Sequence, residues 1–240
     1  MAPPAVAQPR KDTFDKGGLL ANHPLFKELS SEVIDRIVSH AITRNVTKGT
    51  VLFRKGDPGS NFYAVCSGVV RISAPSELGK DAIFNLITPG EIFGEIALLD
   101  GGPRTADAAA IENCSLMIIE RRDFMPIVRE YPEVAMRLIE VLCARLRRTT
   151  EQVEDVMFLG LPGRLAKALL HLHNRSVTHE AAAPIHITQR EISQLIGASR
   201  ESANKQLRQW ERRKWLQLTR GGVLILSPRS LEAAVSEEAN

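Results

Sequence analysis

The sequence has few cysteines and no long apolar run, and both absences narrow what the protein can be. Its three cysteines, Cys66, Cys114 and Cys143, lie far apart among 240 residues. An odd and scattered set argues against a disulfide framework and against a zinc site, and reduced thiols suit the cytoplasm. No apolar run approaches the roughly 20 residues that are needed to span a bilayer. We therefore expect a cytoplasmic protein with no metal and no membrane partner.

The sequence also lacks the short motifs that mark common enzymes. It contains no GxxxxGK[ST] phosphate loop, no HExxH metal motif and no GxSxG nucleophile elbow. Glu91 and Glu95 are four residues apart, but a predicted break between strand and turn separates them, which disfavours a catalytic carboxylate pair. We therefore expect no enzymatic activity.

A sensor built on a redox centre is a further class that the composition disfavours. An iron–sulfur cluster needs about four clustered thiolates, which the scattered cysteines do not provide. Haem needs an axial ligand, and none of the six histidines has a compelling context for that role. His171 and His173, for example, are two residues apart and do not share a helix face.

What the chain does contain is a β-rich first half. After a helical pattern over His23–Ala41, short runs rich in β-formers alternate with glycine-containing turns. The runs are TVLF (50–53), FYAVC (62–66), VVRIS (69–73), AIFNLI (82–87) and ENCSLMIIE (112–120). Short strands at this spacing are typical of a small barrel or sandwich.

A long helix follows, from Glu133 to about Phe158. A stripe that is apolar except for Thr149 recurs at alternating spacings of three and four: Ile139, Leu142, Leu146, Thr149, Val153 and Val156. These are the seam positions of a coiled coil, so we predict a homodimer. The alternative is that the stripe packs only on the β-rich unit.

A third unit begins after the GLPG break (160–163) and has the rhythm of a helix-turn-helix. Two helical segments, 187–197 and 199–216, meet at Gly197, and a hairpin over 215–227 follows. Eight basic and three acidic residues lie between Thr188 and Arg220, a footprint of nucleic-acid binding. We predict base contacts from the front of the second helix and phosphate contacts from the start of the first helix. The predicted DNA-binding residues are Thr188, Arg190, Ser199, Arg200, Glu201, Asn204 and Lys205.

The segment GEIFGEIALLDGGPRTADAA (90–109) carries ligand chemistry. Gly94 permits close backbone approach, and the helix predicted after it, with Glu95, Ile96 and Ala97 in its first turn, presents unpaired N–H groups to a phosphate. Arg104 and Thr105 add a charge-assisted clamp and a hydroxyl donor. Glu95 fits if it accepts a hydrogen bond from a ribose hydroxyl. The alternative is a surface turn with a structural Arg–Glu pair.

These features together resemble the Crp/Fnr family of regulators, in the branch of the cyclic-AMP receptor protein. The segment FGEIALLDGGPRTADA is similar to the family's phosphate-binding cassette, and KGTVLFRKGDPGSNFYAVCSGVVRI (48–72) to the start of its barrel. The resemblance implies that Gly94, Glu95, Arg104 and Thr105 hold the cyclic phosphate and ribose. It also places Ile72 and Phe84 at the base.

The resemblance implies a further part of the pocket on the long helix. Family members that use cyclic AMP have a Thr-Ser pair there, which contacts the adenine across the dimer, and this chain has Thr149-Thr150. Arg145, one turn earlier, is expected to pair with Glu95. The changed second residue leaves cyclic GMP as an alternative effector, and some family members act without a nucleotide.

For DNA, the resemblance implies a sequence preference. SRESANK (199–205) matches the first three residues of the family motif Ser-Arg-Glu-Thr-Val-x-Arg and has Lys205 at its last position. We therefore expect a TGTGA-like palindrome, with RNA polymerase as a further partner. Lys205 cannot form the bidentate contact of an arginine.

The predicted fold is α+β, with an N-terminal antiparallel β-barrel of jelly-roll type, a long dimerisation helix and a C-terminal winged helix-turn-helix. The segments are a flexible leader (1–18), the cyclic-nucleotide-binding barrel (19–132), the dimerisation helix (133–158), the DNA-binding domain (159–232) and an acidic tail (233–240).

Overall fold

The computed structural model describes residues 25–26, 28–75, 81–176 and 184–238. The first helix in this range, α1 (Ser31–Ser39), begins where Ser30 accepts a hydrogen bond from Val33 N at 3.4 Å, as serines at helix starts do. Within the described part of the predicted His23–Ala41 segment the helix is shorter than expected, because the extended backbone and cap at Ser30 fix its start at Ser31. Part of that segment lies outside the described residues.

Eight strands form two four-stranded antiparallel sheets. The first has the order β1 (Ile42–Val46), β8 (Cys114–Glu120), β3 (Asn61–Ser67) and β6 (Ile92–Phe93). The second has the order β2 (Val51–Phe53), β7 (Asp107–Ala110), β4 (Val70–Pro75) and β5 (Asp81–Ile87). The predicted antiparallel β domain is confirmed, although over the described residues the two sheets stay separate and do not close into one barrel.

Strand β3 shows why this domain needs both its sheets and its helices. Successive side chains of a strand point to opposite faces, and both faces of β3 are buried. Phe62 and Ala64 pack in the apolar cluster that includes the helices around the domain. Tyr63 and Val65 pack in the cluster between the two sheets.

Three more helices of the described residues precede the C-terminal domain: α2 (Glu95–Asp100), α3 (Arg121–Glu130) and α4 (Pro132–Phe158). Pro132 occupies the first turn of α4, where its missing N–H costs nothing. The start of α4 packs on the β domain through the buried Val134 and Leu138. Beyond it, the predicted seam faces solvent in the single chain, with exposures of 51–69% at Ile139, Leu146, Val153 and Val156.

The C-terminal domain consists of α5 (Leu161–Ser176), α6 (Gln189–Leu195), α7 (Arg200–Arg212), the hairpin β9 (Leu216–Thr219) and β10 (Gly222–Ile225), and α8 (Pro228–Glu238). The hairpin turns at Arg220–Gly221, close to the predicted position. Helix α8 extends into the segment 233–240 that was predicted as an acidic tail. The domain has its own apolar core around the fully buried Trp210.

Strand β5 of the β domain packs against the C-terminal domain. Its Ile83 and Leu86 are buried in the same apolar cluster as the core of the C-terminal domain. Gln152 of α4 also contacts β5, since its Nε2 donates to the Phe84 carbonyl at 3.3 Å. Over the described residues, no helix has the length and apolarity of a membrane span.

Candidate functional site

The site is organised around Gly94, which lies between β6 and α2. Its φ of +80° lies in the left-handed region, which glycine adopts without strain. Space is a second requirement, because a Cβ at this position would lie 2.6 Å from Nη1 of Arg104. Glycine therefore allows the arginine to lie directly against the backbone.

Arg104 is held at the base of the site and is only 4% exposed. Its Nη1 donates to the Gly94 carbonyl at 2.7 Å, and its Nη2 donates to Oδ1 of Asn61 at 2.6 Å. The guanidinium carbon also lies 4.2 Å from the centre of the Phe53 ring, within the range of a cation–π interaction. Burial lowers the pKa of Arg104, yet an arginine stays protonated in proteins. Its Nε is buried and has no hydrogen-bond partner among the described residues.

Glu95 lies beside it and is 2% exposed. Its Oε1 accepts a hydrogen bond from Nη1 of Arg145, so the pair that was expected between the β domain and the long helix is present. The other terminal nitrogen of Arg145 donates to the Ile92 carbonyl. The second carboxylate oxygen of Glu95, Oε2, is buried and has no partner among the described residues.

These groups face a cavity of about 480 Å³ between the β domain and α4. All but one of the predicted ligand residues line it: Ile72, Phe84, Gly94, Glu95, Ile96, Ala97, Arg104, Thr105, Arg145 and Thr149. Thr150 is the exception, since it does not line the cavity within a single chain. Its hydroxyl donates to the Leu146 carbonyl at 3.1 Å, one turn back along the helix.

Sequence reasoning missed several residues of this cavity. Phe53 lines it and stacks against the Arg104 guanidinium. Asn61, at the start of β3, accepts a hydrogen bond from the same guanidinium. From α4, Arg148 and Gln152 also face the cavity. No local motif marks these residues, because the sheet and the long helix bring them to the site from distant parts of the chain.

The predicted DNA-reading surface lies at the front of α7. Ser199 caps this helix, as predicted, by accepting from Ser202 N at 3.0 Å. The side chains of Arg200, Glu201 and Lys205 are exposed. None of these three has a hydrogen-bond or ion-pair partner within the described part of the chain.

Asn204 differs from its prediction, because its side chain is half-buried rather than outward. It lies three residues before the buried Leu207, and residues at this spacing share a helix face. Its Oδ1 is buried without a partner among the described residues. Asn204 therefore belongs to the flank of the domain core.

Helix α6 opens with a complete capping box. Thr188 accepts from Glu191 N at 3.2 Å, and Glu191 accepts from Thr188 N at 2.8 Å. This arrangement satisfies two helix-start donors and leaves Thr188 and Arg190 exposed at the surface. Their predicted phosphate contacts remain a prediction.

Comparison with known proteins agrees with this division into two parts. Residues 43–131 match the cyclic nucleotide-binding domain family, and residues 163–234 match the Crp-like helix-turn-helix domain family. The first match contains the glycine, glutamate and arginine of the cavity. The second contains the capping box and all of α7.

Individual relatives cover almost the whole chain. It is 34% identical over 210 residues to a CRP-like cAMP-activated global transcriptional regulator of Mycobacterium tuberculosis, which spans 86% of this chain and 94% of the relative. It is also 34% identical over 219 residues to the cyclic AMP receptor protein of Thermus thermophilus, with 90% and 95% covered. Among solved structures, a CRP/FNR-family transcriptional regulator from Thermus thermophilus has a TM-score of 0.69 at 26% identity, covering 82% of this chain and 100% of its own.

Both domain matches and both relatives point the same way. The chain belongs to the Crp/Fnr family and is a DNA-binding transcription regulator with a cyclic nucleotide-binding domain.

Proposed function

We propose that this regulator is controlled by a cyclic nucleotide, with cyclic AMP favoured, that binds in the cavity between the β domain and α4. The observation that supports this most strongly is that Arg104 and Glu95, which both line one cavity, each have a buried polar atom, Nε and Oε2, without a partner among the described residues. Leaving such atoms unpaired is costly. A cyclic nucleotide has a complementary group for each: an anionic phosphate oxygen for the arginine N–H, and a ribose 2′-hydroxyl for the carboxylate.

The base would lie toward α4. Ile72 and Phe84 provide an apolar wall, and Thr149 offers a hydroxyl from the helix. Two relatives are named for cyclic AMP, which favours adenine here. Cyclic GMP is the alternative effector, because Thr150 stands where family members that use cyclic AMP have a serine.

The exposed stripe on α4 supports a homodimer. Apolar side chains that recur at coiled-coil spacing and face solvent in one chain are stabilised by pairing with a second copy. Pairing of the two helices would also bring Thr150 of each toward the partner's cavity. In this arrangement the dimer interface completes the nucleotide site.

On DNA, the dimer would read a TGTGA-like palindrome. Arg200 can donate to guanine O6 and N7, and Glu201 can accept from cytosine N4. Lys205 contributes a third contact, and the two α7 helices would enter major grooves about one helical turn apart. RNA polymerase is the further partner that this mode of action implies.

Control requires that the nucleotide bind one arrangement of the domains more tightly than another. Two contacts suit such coupling. The Arg145–Glu95 pair joins the cavity to α4, and strand β5 contributes Phe84 to the cavity and Ile83 to the core of the DNA-binding domain. A conformational change in the cavity on nucleotide binding would therefore be transmitted both to α4 and to the DNA-binding domain.

Isothermal titration calorimetry tests the proposal directly. We expect wild type to bind cyclic AMP and Arg104→Leu to lose affinity by about 100-fold or more, since it removes a buried charge-assisted contact. Arg44→Leu, which changes an exposed arginine on β1, is the matched control and is expected to bind normally. Titration with cyclic GMP measures selectivity. Binding by Arg104→Leu at wild-type strength, or no binding of either nucleotide by wild type, would contradict the proposed site.

A further inference from the structure

Arg104 is held entirely by uncharged groups. Its two terminal nitrogens donate to the side-chain amide of Asn61 and to the Gly94 carbonyl, and its flat face rests on Phe53. No ion pair to Arg104 is formed within the described part of the chain. A buried arginine without a carboxylate partner is unusual, because buried charges are normally paired.

The carboxylates of Glu95 and Asp57 lie in the neighbourhood, but neither forms an ion pair with Arg104. Glu95 pairs with Arg145. Asp57 accepts from Arg54 N at 2.7 Å and so fixes the turn before β3. The charge of Arg104 therefore stays available to a ligand, while its geometry is already set.

Asn61 is the side chain that holds the Arg104 guanidinium in place without pairing its charge. An arginine can only donate hydrogen bonds, so the Asn61 amide must accept with Oδ1, at 2.6 Å. Asn61 is also the first residue of β3 and is fixed there by pairing with Glu120 on β8. An aspartate in its place could accept the same bond but would neutralise the guanidinium.

We infer that Asn61 is a positioning residue that sets the affinity of the site for an anionic ligand. It orients the Arg104 guanidinium with Nε left for the ligand, and it does so without adding negative charge beside the phosphate. This inference rests on the proposed function, since it assigns Asn61 a role at the same cyclic-nucleotide site.

The test compares three variants by calorimetry with cyclic AMP and by thermal unfolding of the free protein. Asn61→Asp keeps an acceptor and adds charge, while Asn61→Ala removes the acceptor without adding charge. Asn45→Asp places the same charge at an exposed position on β1 and is the matched control.

The expected pattern separates binding from stability. Asn61→Asp should bind cyclic AMP about tenfold or more weakly than wild type, because the new carboxylate repels the phosphate and competes for the arginine. Its unfolding temperature should not fall, since the buried arginine gains an ion pair. Asn61→Ala should unfold at a lower temperature and bind more weakly than wild type, yet more tightly than Asn61→Asp. Asn45→Asp should match wild type in both measurements.

Two outcomes would overturn the role of Asn61 while leaving the site itself in place. One is wild-type affinity in Asn61→Asp. The other is a loss in Asn61→Asp no greater than in Asn61→Ala, which would mean that charge plays no part. If wild type itself binds no cyclic nucleotide, the proposed function fails first, and the role of Asn61 fails with it.

Discussion

The two functional regions of this chain differ in how much of their geometry exists before a ligand arrives. In the cavity, Glu95 and Arg104 are 2% and 4% exposed, and each is fixed by hydrogen bonds to a partner from another element. On the DNA-reading surface, Arg200, Glu201 and Lys205 are exposed and have no partner within the described residues.

This difference has an energetic consequence. Buried charged groups contribute to folding as well as to binding, because removing one partner leaves the other desolvated and alone. Exposed side chains without partners contribute little to folding, and changing them rarely alters stability by more than about 0.5 kcal/mol. Substitutions that remove a buried charge from the cavity should therefore affect stability and binding together, and substitutions on α7 should affect binding alone.

The largest expected effect is on the cavity side of this comparison. Replacing Arg145 by methionine leaves the buried Glu95 carboxylate without its partner and frees the Ile92 carbonyl. We expect the free energy of unfolding to fall by about 3 kcal/mol, at the low end for such pairs because the Arg145 side chain is 35% exposed. Urea unfolding measures this change.

Two further variants test the cause. Arg147→Met removes an exposed arginine from the same helix and should leave stability nearly unchanged. Arg145→Met combined with Glu95→Gln removes the unpaired charge and should recover part of the loss. Equal stability of Arg145→Met and Arg147→Met would mean that the pair does not join α4 to the β domain.

The same two regions show which features a sequence can predict. The segment from Gly94 to Thr105 is continuous, so its glycine, carboxylate, arginine and hydroxyl could be interpreted together before any fold was known. The cap at Ser199 and the turn at Gly197 are likewise local, since each depends on residues within one helical turn.

Features that depend on tertiary contacts could not be predicted in this way. Asn61 lies 43 positions from Arg104 in sequence, and no motif in the neighbouring residues indicates that it contacts an arginine. Phe53 reaches the same guanidinium from β2. The partial burial of Asn204 depends on how α7 packs on its own domain. The contact between β5 and the core of the DNA-binding domain likewise depends on tertiary packing.

On the DNA side, the largest expected effect is a loss of affinity without a loss of stability. Arg200→Ala removes a donor that can bond both guanine acceptors, so we expect binding to a TGTGA-like palindrome to weaken by about 2 kcal/mol per half-site. Discrimination at one base pair should relax as well. Fluorescence anisotropy with the palindrome and with single-base variants measures both effects.

The pattern of losses across duplex sequences shows whether Arg200 contacts a base or a phosphate. Arg44→Ala, outside the DNA-binding domain, should bind every duplex as wild type does. A uniform loss across all sequences in Arg200→Ala would indicate a phosphate contact, and a large fall in its unfolding free energy would contradict the division between the two regions.

A smaller effect concerns backbone conformation. The cavity uses a glycine where φ is +80°, but the turn after α7 has Lys214 at a φ of +59°. A side chain in this left-handed region costs about 1 kcal/mol relative to glycine. We expect Lys214→Gly to raise the free energy of unfolding by about that amount, as measured by urea unfolding, while a stability equal to or below wild type would show that the strain is absent.

The smallest effect concerns the boundary between the two regions, where His171 lines a second cavity of about 540 Å³ together with Arg148. Loss of surrounding water, and then the positive charge of Arg148, lower the pKa of His171 below its ordinary value of 6.5. The folded protein then resists a proton that the unfolded chain accepts, so this contribution to stability is present above pH 6.5 and is lost as the pH falls below it.

His171→Gln should therefore gain stability relative to wild type as the pH is lowered from about 7 to about 5, with a constant difference above that window. Arg148→Met removes one cause of the lowered pKa and should reduce the pH dependence of the wild-type curve. Urea unfolding across this pH range can be followed by tryptophan fluorescence, because both tryptophans, Trp210 and Trp215, lie in the DNA-binding domain. Parallel pH profiles for wild type and His171→Gln would mean that the pKa of His171 is the same in the folded and unfolded chain, and that its burial at this boundary does not affect stability.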